Sequence, residues 1–337
     1  MQATTQDTLD RAEPSPGAEA AIHDRIAALR RHLAAVVVDR ERLVTRLLIG
    51  LLADGHLLIE GAPGLAKTRA AKGFADGLNA SFARIQCTPD LMPADITGTP
   101  VWRPGSGTFE FVAGPVFHSI VLVDEINRAP PKVQSALLEA MAERQVTAGS
   151  VTYPLPDPFL VLATRNPIEQ EGTYPLPEAE LDRFLLHVIL DLPDAPAERR
   201  ILDLVERESV GGRERAPVQV EIADVKAARA AARRVHLAPA LKEYIVRLVM
   251  ATRDGRAGDD VRDAIAFPVS PRGTLALAAA AKALAYLDGR DHATPDDVED
   301  LAVEALSHRL VLSWRAVAEG LTPQDLVRTL LKRVPIV

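Results

Sequence analysis

The sequence predicts an α/β domain, a five-stranded parallel sheet between helices, followed by a small all-helical domain. From Gly55 to Leu190 short apolar runs alternate with helical stretches, and after Leu190 only helical periodicity remains. Strands that alternate with helices form parallel sheets covered on both faces. At 337 residues the chain has room for about two domains of ordinary size.

Residues 1–18 carry Pro14, Pro16 and Gly17 with almost no large apolar side chains, and read as a disordered lead-in. Ile22, Ile26, Leu29 and Leu33 then recur at helical spacing, and Leu43, Leu47 and Leu51 mark a second helix. His56–Glu60, Phe82–Gln86, Ile120–Val123, Phe159–Ala163 and Leu185–Leu190 are the five expected buried strands. A helix over 131–144 places Val133, Leu137 and Met141 on one face. Two inserts break the rhythm and read as hairpins: 97–114, turning at Gly105-Ser106-Gly107, and 146–158, turning at Ala148-Gly149-Ser150. Beyond the break at DLPDAP, helices are expected at 195–207, 222–234, 238–253, 271–288, 295–309 and 323–333, with VGGRERAP (210–217) as a linker or mobile loop. The expected division is a lead-in (1–18), an α/β core (19–192), a helical connection (193–235) and a helical domain (236–337).

Composition narrows the function classes. Apolar residues at 47% and charged residues at 25% are ordinary for a soluble globular protein. A net charge of −7 argues against sequence-independent DNA binding, so nucleic acid is a disfavoured partner. Cys87 is the only cysteine, which forbids an intramolecular disulfide and points to a reducing compartment. The N-terminus lacks the basic start and apolar segment of a signal peptide, and no apolar run is long enough to span a bilayer. The cytoplasm is the expected location. The eight histidines show no metal-ligand spacing, and neither a G-x-S-x-G elbow nor a G-x-G-x-x-G fingerprint is present.

The strongest local signal is Gly61-Ala62-Pro63-Gly64-Leu65-Ala66-Lys67-Thr68, between an expected strand and an expected helix. That is the context of a phosphate-binding loop. Its backbone N–H groups and the helix N-terminus would cradle phosphates, Lys67 would reach the β- and γ-phosphates, and the Thr68 hydroxyl would ligate Mg²⁺. Ala66 departs from the general pattern, which has glycine before the lysine; alanine is the smallest such change. The alternative is a glycine turn with an exposed lysine.

Four further signals are weaker singly. Ile120–Val123 ends in Asp124 and Glu125, placed to hold a metal and to polarise an attacking water; a solvated acidic pair is the plain alternative. Asn166 ends another strand, where it could orient that water or contact the γ-phosphate, although Asn-Pro is also a common turn starter. Arg183, in LDRF, would point away from its own phosphate site toward the next subunit of a ring, as an arginine finger does; a surface salt bridge with Asp182 or Glu178 is the alternative. Arg272, in SPRG, could touch the γ-phosphate if the second domain packs over it, and is otherwise an ordinary helix-start residue. The pair Arg233-Arg234 reads as a solvated helix face.

Taken together, GHLLIEGAPGLAKT, IQCTPDLMPADITGT, VLVDEINRAPPKVQSALLEAMAERQVT and FLVLATRNPIEQEGTYPLPEAELDRFLL resemble the MoxR family of AAA+ ATPases, and SPRGTLALAAAAKALAYLDGRDHATPDDV resembles its helical lid. The resemblance covers roughly residues 30–315. It implies an AAA+ P-loop core with Walker A at Lys67 and Thr68, Walker B at Asp124 and Glu125, Asn166 as sensor 1, Arg183 as arginine finger and Arg272 as sensor 2. ATP and Mg²⁺ are the implied cofactors. A hexameric homo-oligomeric ring, a partner with a von Willebrand factor A domain and a client enzyme or complex are the implied partners. The two hairpins match the family's inserts, which makes Trp102, Phe109 and Phe111 candidates for client contact; packing of the hairpin onto the core is the equal alternative. Related possibilities are a magnesium-chelatase-type motor subunit, a slow nucleotide-gated switch and a DNA motor. Three positions depart from the family: Arg165 where Gln is usual, Cys87 for a larger apolar residue, and Asp39-Arg40 for Gly-Gln near the adenine pocket.

Overall fold

The computed structural model describes residues 16–167, 172–211 and 220–336. Two helices, α1 (Pro16–Val36) and α2 (Glu41–Leu52), open the fold. Their buried faces carry Ile22, Ile26, Leu29 and Leu33, then Leu43, Leu47 and Leu51. Because α1 begins at Pro16, residues 16–18 are helical rather than part of a disordered lead-in. Proline's fixed φ suits the first helical position, where its missing N–H would be unpaired in any case. The remainder of that expectation, 1–15, lies outside the described residues.

The α/β part runs β1 (His56–Gly61), α3 (Lys67–Gly77), β2 (Phe82–Gln86), α4 (Pro93–Thr97), β3 (Gly98–Arg103), β4 (Thr108–Ala113), β5 (Ile120–Asp124), α5 (Pro131–Glu143), β6 (Gln145–Ala148), β7 (Val151–Pro154), β8 (Leu160–Arg165), α6 (Glu178–Leu181) and β9 (Phe184–Leu190). All five expected strands join one sheet in the order β2-β5-β8-β1-β9, every pair parallel. The connection leaving β1 runs toward one edge of the sheet and that leaving β8 toward the other. In open sheets of this kind, ligands bind beyond the carboxyl ends of the strands at such a switch point.

Both faces of the sheet are covered, which explains the unbroken apolar runs. Ile120, Leu122, Leu160 and Leu162 join the cluster containing α1, α2 and α3, whereas Val121, Val123, Val161 and Ala163 face Val133, Leu137 and Met141 of α5. The inserts fold as two antiparallel hairpins, β3–β4 and β6–β7. Gly107 (φ 66°) and Gly149 (φ 62°) supply the left-handed backbone their turns need.

Among the described residues eight helices follow: α7 (Ala195–Gly211), α8 (Ile222–Arg234), α9 (Pro239–Met250), α10 (Asp259–Asp263), α11 (Pro271–Leu287), α12 (Pro295–Leu306), α13 (Trp314–Ala318) and α14 (Pro323–Arg333). α7 outruns its expected end, taking in the first two residues of the expected linker; the rest, 212–217, lies outside the described residues. The helix expected over 295–309 tightens after Leu306 into a 3₁₀ turn, Ser307–Arg309. Among the described residues this part is helical but for one ladder, in which β10 (Ile265–Phe267) pairs antiparallel with β11 (Val311–Leu312), and an isolated bridge between His236 and His292. Strands this short carry no alternation to read. Ala276, Leu277, Ala280, Ala281 and Leu284 of α11 bury into the same cluster as α1–α3. No helix among the described residues is long and apolar enough to cross a membrane.

Candidate active site

The loop from Gly61 to Ala66 joins β1 to α3 at the switch point. Gly64 has φ 84°, and Ala66 has φ 58° at the position just before the helix. The requirement at Ala66 is therefore a left-handed backbone as well as small size. No side chain caps α3, which leaves its first N–H groups and positive dipole end facing the loop. The Lys67 ammonium donates to the carbonyls of Gly61 (2.6 Å) and Ala62 (3.3 Å). Burial pushes its pKa down, against the pull of Asp124, Glu125 and Glu60. Thr68 is half-buried in the first turn of the helix.

Asp124 closes β5, one residue beyond the expected strand end, and is buried. Its Oδ1 accepts from Thr164 Oγ1 at 2.6 Å, and its Oδ2 accepts from Arg84 Nη2 at 2.6 Å and Nε at 3.2 Å. Thr164 Oγ1 in turn accepts the Glu125 N–H at 2.9 Å, so one hydroxyl sets both acids. Glu125 sits at φ 57°, ψ 54°, a conformation unfavourable for a residue with a Cβ. Its Oε2 accepts from Gln86 Nε2 and from Arg128 Nη1, both at 3.2 Å. The charges of Lys67 and of the two acids are thus felt at one end of the sheet.

Asn166 follows β8 with its side chain buried. It lines a cavity of about 270 Å³ with Asn127, Arg165, Pro167 and Tyr174. Arg165 directs its guanidinium toward Glu60, 3.8 Å away, a carboxylate that also accepts from His187 Nε2 at 3.1 Å. Burial works against the Glu60 carboxylate, but the His187 bond and the nearby cations hold it below the usual range. A second cavity of about 260 Å³ borders Gly64, Leu65 and Ala66 and is walled by Val36, Val38, Leu192, Ile201, Leu204 and Val205. Asp39 and Arg40 both tie this wall together, Asp39 accepting from Arg200 (2.6 Å) and Arg40 donating to the Asp191 carbonyl (2.8 Å).

The two remaining arginines lie apart from the loop's own contacts. Arg183 does not pair with Asp182 or Glu178; its Nη1 donates to the Leu138 carbonyl of α5 at 2.5 Å, and its Nε is buried without a partner among the described residues. Arg272 is 57% exposed at the start of α11, with Nη1 3.6 Å from Asp182. The hairpin aromatics divide. Trp102 and Phe109 stand 50% and 70% exposed and meet edge to face, whereas Phe111 stacks on Tyr153 at 4.1 Å and so joins one hairpin to the other. Cys87 is a buried thiol pushed up to about 12 by its burial and by the charges of Asp124 and Glu125.

Among the described residues no three His, Cys, Asp or Glu side chains cluster as a metal cage. Mg²⁺ favours oxygen donors and keeps most of its shell for water and phosphate. The Asp124 carboxylate and the Thr68 hydroxyl are donors of that kind. Arg84, Gln86 and Thr164 escaped the sequence reading. Arg84 and Gln86 alternate with Ala83 and Ile85 on the edge strand, and polar residues at alternate strand positions were the available signal.

The pattern described as "ATPase family associated with various cellular activities (AAA)" matches residues 56–186, and "AAA lid domain" matches 258–330. The chain is 42% identical over 329 residues to Chaperone MoxR1 of Mycobacterium tuberculosis, covering 96% of this chain and 86% of that one. The chain belongs to the MoxR family of AAA+ ATPases. Protein MoxR of Methylorubrum extorquens is 34% identical over 331 residues, 93% of this chain and 95% of that one. A crystal structure of a Cytophaga hutchinsonii protein assigned as an ATPase superimposes with a TM-score of 0.88 at 41% identity, covering 95% of this chain and 97% of that one. In this MoxR-family chain the α/β part is the AAA+ domain, and the lid lies within the helical part.

Proposed function

We propose that this MoxR-family protein hydrolyses Mg·ATP in a hexameric ring and uses the cycle to remodel or mature partner complexes. The core spans 19–192 with hairpins near 97–114 and 146–158, a connection spans 193–235 and the lid spans 236–337. The loop of Gly61, Ala62, Pro63, Gly64, Leu65 and Ala66 wraps the phosphates, every residue but Pro63 offering a backbone N–H, and Lys67 exchanges its two carbonyl partners for phosphate oxygens. The apolar wall of Val36, Val38, Ile201 and Leu204 takes the base. Thr68 and Asp124 would hold Mg²⁺, which would neutralise charge on the β- and γ-phosphates.

Glu125 accepts the proton of the attacking water, a role worth about 10²–10⁴-fold. To do so it leaves Gln86 and Arg128, while its backbone stays pinned to Thr164. Asn166 orients that water, Arg272 contacts the γ-phosphate from the lid, and Arg183 of a neighbouring chain completes the site. Trp102 and Phe109, exposed at the hairpin, meet the client. A protein with a von Willebrand factor A domain is the expected adaptor.

The observation that carries this reading is the Thr164 bracket, which fixes Asp124 and Glu125 as a unit at the carboxyl edge of the sheet. The test is a pull-down with Glu125→Gln loaded with ATP, against Lys67→Ala, from a lysate of the source organism. A von Willebrand factor A protein or an enzyme complex held only by Glu125→Gln is the expected result. Chelatase subunits or nucleic acid in that place would replace the remodelling role with one of its rivals.

A further inference from the structure

Asp182 and Arg183 form the short turn between α6 and β9, and the lid grips this turn from above. The Asp182 carboxylate accepts from Ser270 Oγ at 3.1 and 2.9 Å, from Arg309 Nε at 3.0 Å, and lies 3.6 Å from Arg272 Nη1. Ser270 caps α11, and Arg309 ends the 3₁₀ turn after α12, so both ligands come from the lid.

Arg309 does more than pair with a carboxylate. Only 3% of its side chain is exposed, and its guanidinium also donates to the carbonyls of Asp182 (3.3 Å), Phe184 (2.6 Å), Leu185 (3.3 Å) and Ala305. One lid side chain therefore holds backbone on both sides of Arg183. A planar five-donor fork can do this; a lysine ammonium cannot. Gly273 permits the approach, since a Cβ there would stand 2.3 Å from Val269 Cγ1 and 3.2 Å from Arg309 Cδ. The segment is also reached by His308, whose Nε2 lies 3.1 Å from the Phe184 carbonyl.

We propose that Arg309, acting through Asp182, is a positioning residue that ties the arginine finger of each chain to the lid of the same chain. Arg272, the sensor on that lid, shares the Asp182 carboxylate. When the lid shifts with its own nucleotide, the 182–185 turn shifts with it, and Arg183 is presented to or withdrawn from the next site in the ring. The inference rests on the reading of Arg183 as a finger supplied in trans. It deepens that reading by naming what sets the finger's position.

The defect should appear in the neighbouring site, not in the site of the altered chain. Arg309→Lys and Asp182→Asn are compared, the second keeping side-chain size should the first fail to fold. Each alone should bind ATP as wild type does and lose about 10²-fold in turnover, the usual consequence of a 1 Å misplacement. Each is then mixed with Glu125→Gln, which cannot hydrolyse but offers an intact Arg183. Turnover per intact site should rise at least tenfold on mixing. Arg183→Ala mixed with Glu125→Gln is the control. If the control recovers and the Arg309 and Asp182 variants do not, or if they turn over ATP at the wild-type rate alone, the coupling is wrong. If the control itself fails to recover, the trans finger is wrong and the coupling falls with it.

Discussion

Thr164 and Asp124 share a 2.6 Å hydrogen bond at the buried end of the sheet, and the same hydroxyl oxygen takes the backbone N–H of Glu125. A group with no chemistry of its own thereby orients both acids of the proposed hydrolytic pair. Thr164→Val keeps shape and removes the hydroxyl, leaving Asp124 Oδ1 and the Glu125 N–H short of a partner. A loss of about 1–3 kcal/mol of stability is expected. Turnover should fall far more than ATP affinity, by about 10²-fold. Calorimetric ATP titration beside phosphate release reads the two separately.

Ala66 occupies left-handed backbone at φ 58°, which costs a residue with a Cβ about 1–2 kcal/mol. Ala66→Gly relieves this but adds about 0.4–1 kcal/mol of unfolded-chain freedom. The net expectation is unchanged stability or a gain of up to about 1.6 kcal/mol. Ala70→Gly, in the buried interior of α3, should lose about 1 kcal/mol. Urea midpoints for the two variants should therefore move apart, and a matching loss in both would show that φ at Ala66 carries no strain.

Arg183→Ala should leave ATP affinity nearly intact while turnover drops about 10³–10⁵-fold, the range for a finger supplied in trans. Its present hydrogen bond to Leu138 means that the guanidinium must leave α5 to act. Hydrolysis at the wild-type rate would remove the assignment and return Arg183 to a structural role against that helix.

His56 is buried in β1, its Nδ1 accepting from the Val161 N–H and its Nε2 donating to the Met141 carbonyl. Burial, with Arg144 nearby, lowers its pKa to about 3, and burial also lowers that of His308 well below the ordinary value. Both rings stay neutral in the fold while the unfolded chain protonates near 6.5. Stability is therefore fully present above pH 6.5 and falls as the pH drops toward 3. The slope should approach about 1.4 kcal/mol per pH unit for each ring. Urea unfolding between pH 7.5 and 5 checks it; a flat profile would contradict the burial argument.

What the sequence revealed, and what it hid, follows from the range of the interactions. The loop from Gly61 to Thr68 and the strand ending at Asp124 are local patterns, each a strand running into its own turn, and they were legible residue by residue. Continuous apolar runs between turns, the signature of a covered sheet, marked β1, β5, β8 and β9, whereas β2, expected as a fifth buried strand, is an edge strand with Arg84 and Gln86 exposed. Arg84 reaches Asp124 across 40 residues, and Arg309 reaches Asp182 across 127, so no window contained both partners. Arg183 was legible as a residue but not as a rotamer: its contact with Leu138 depends on how α5 packs. Pro16 misled because proline breaks a helix interior yet favours a helix start.

The most direct test of the account is phosphate release from ATP by the purified chain with and without Mg²⁺, beside Lys67→Ala and Glu125→Gln. Wild type should release phosphate only with Mg²⁺. Glu125→Gln should bind ATP and release almost none, and Lys67→Ala should fail to bind it. Equal phosphate release by wild type and Glu125→Gln would contradict the placement of the hydrolytic acid, and the account built on it.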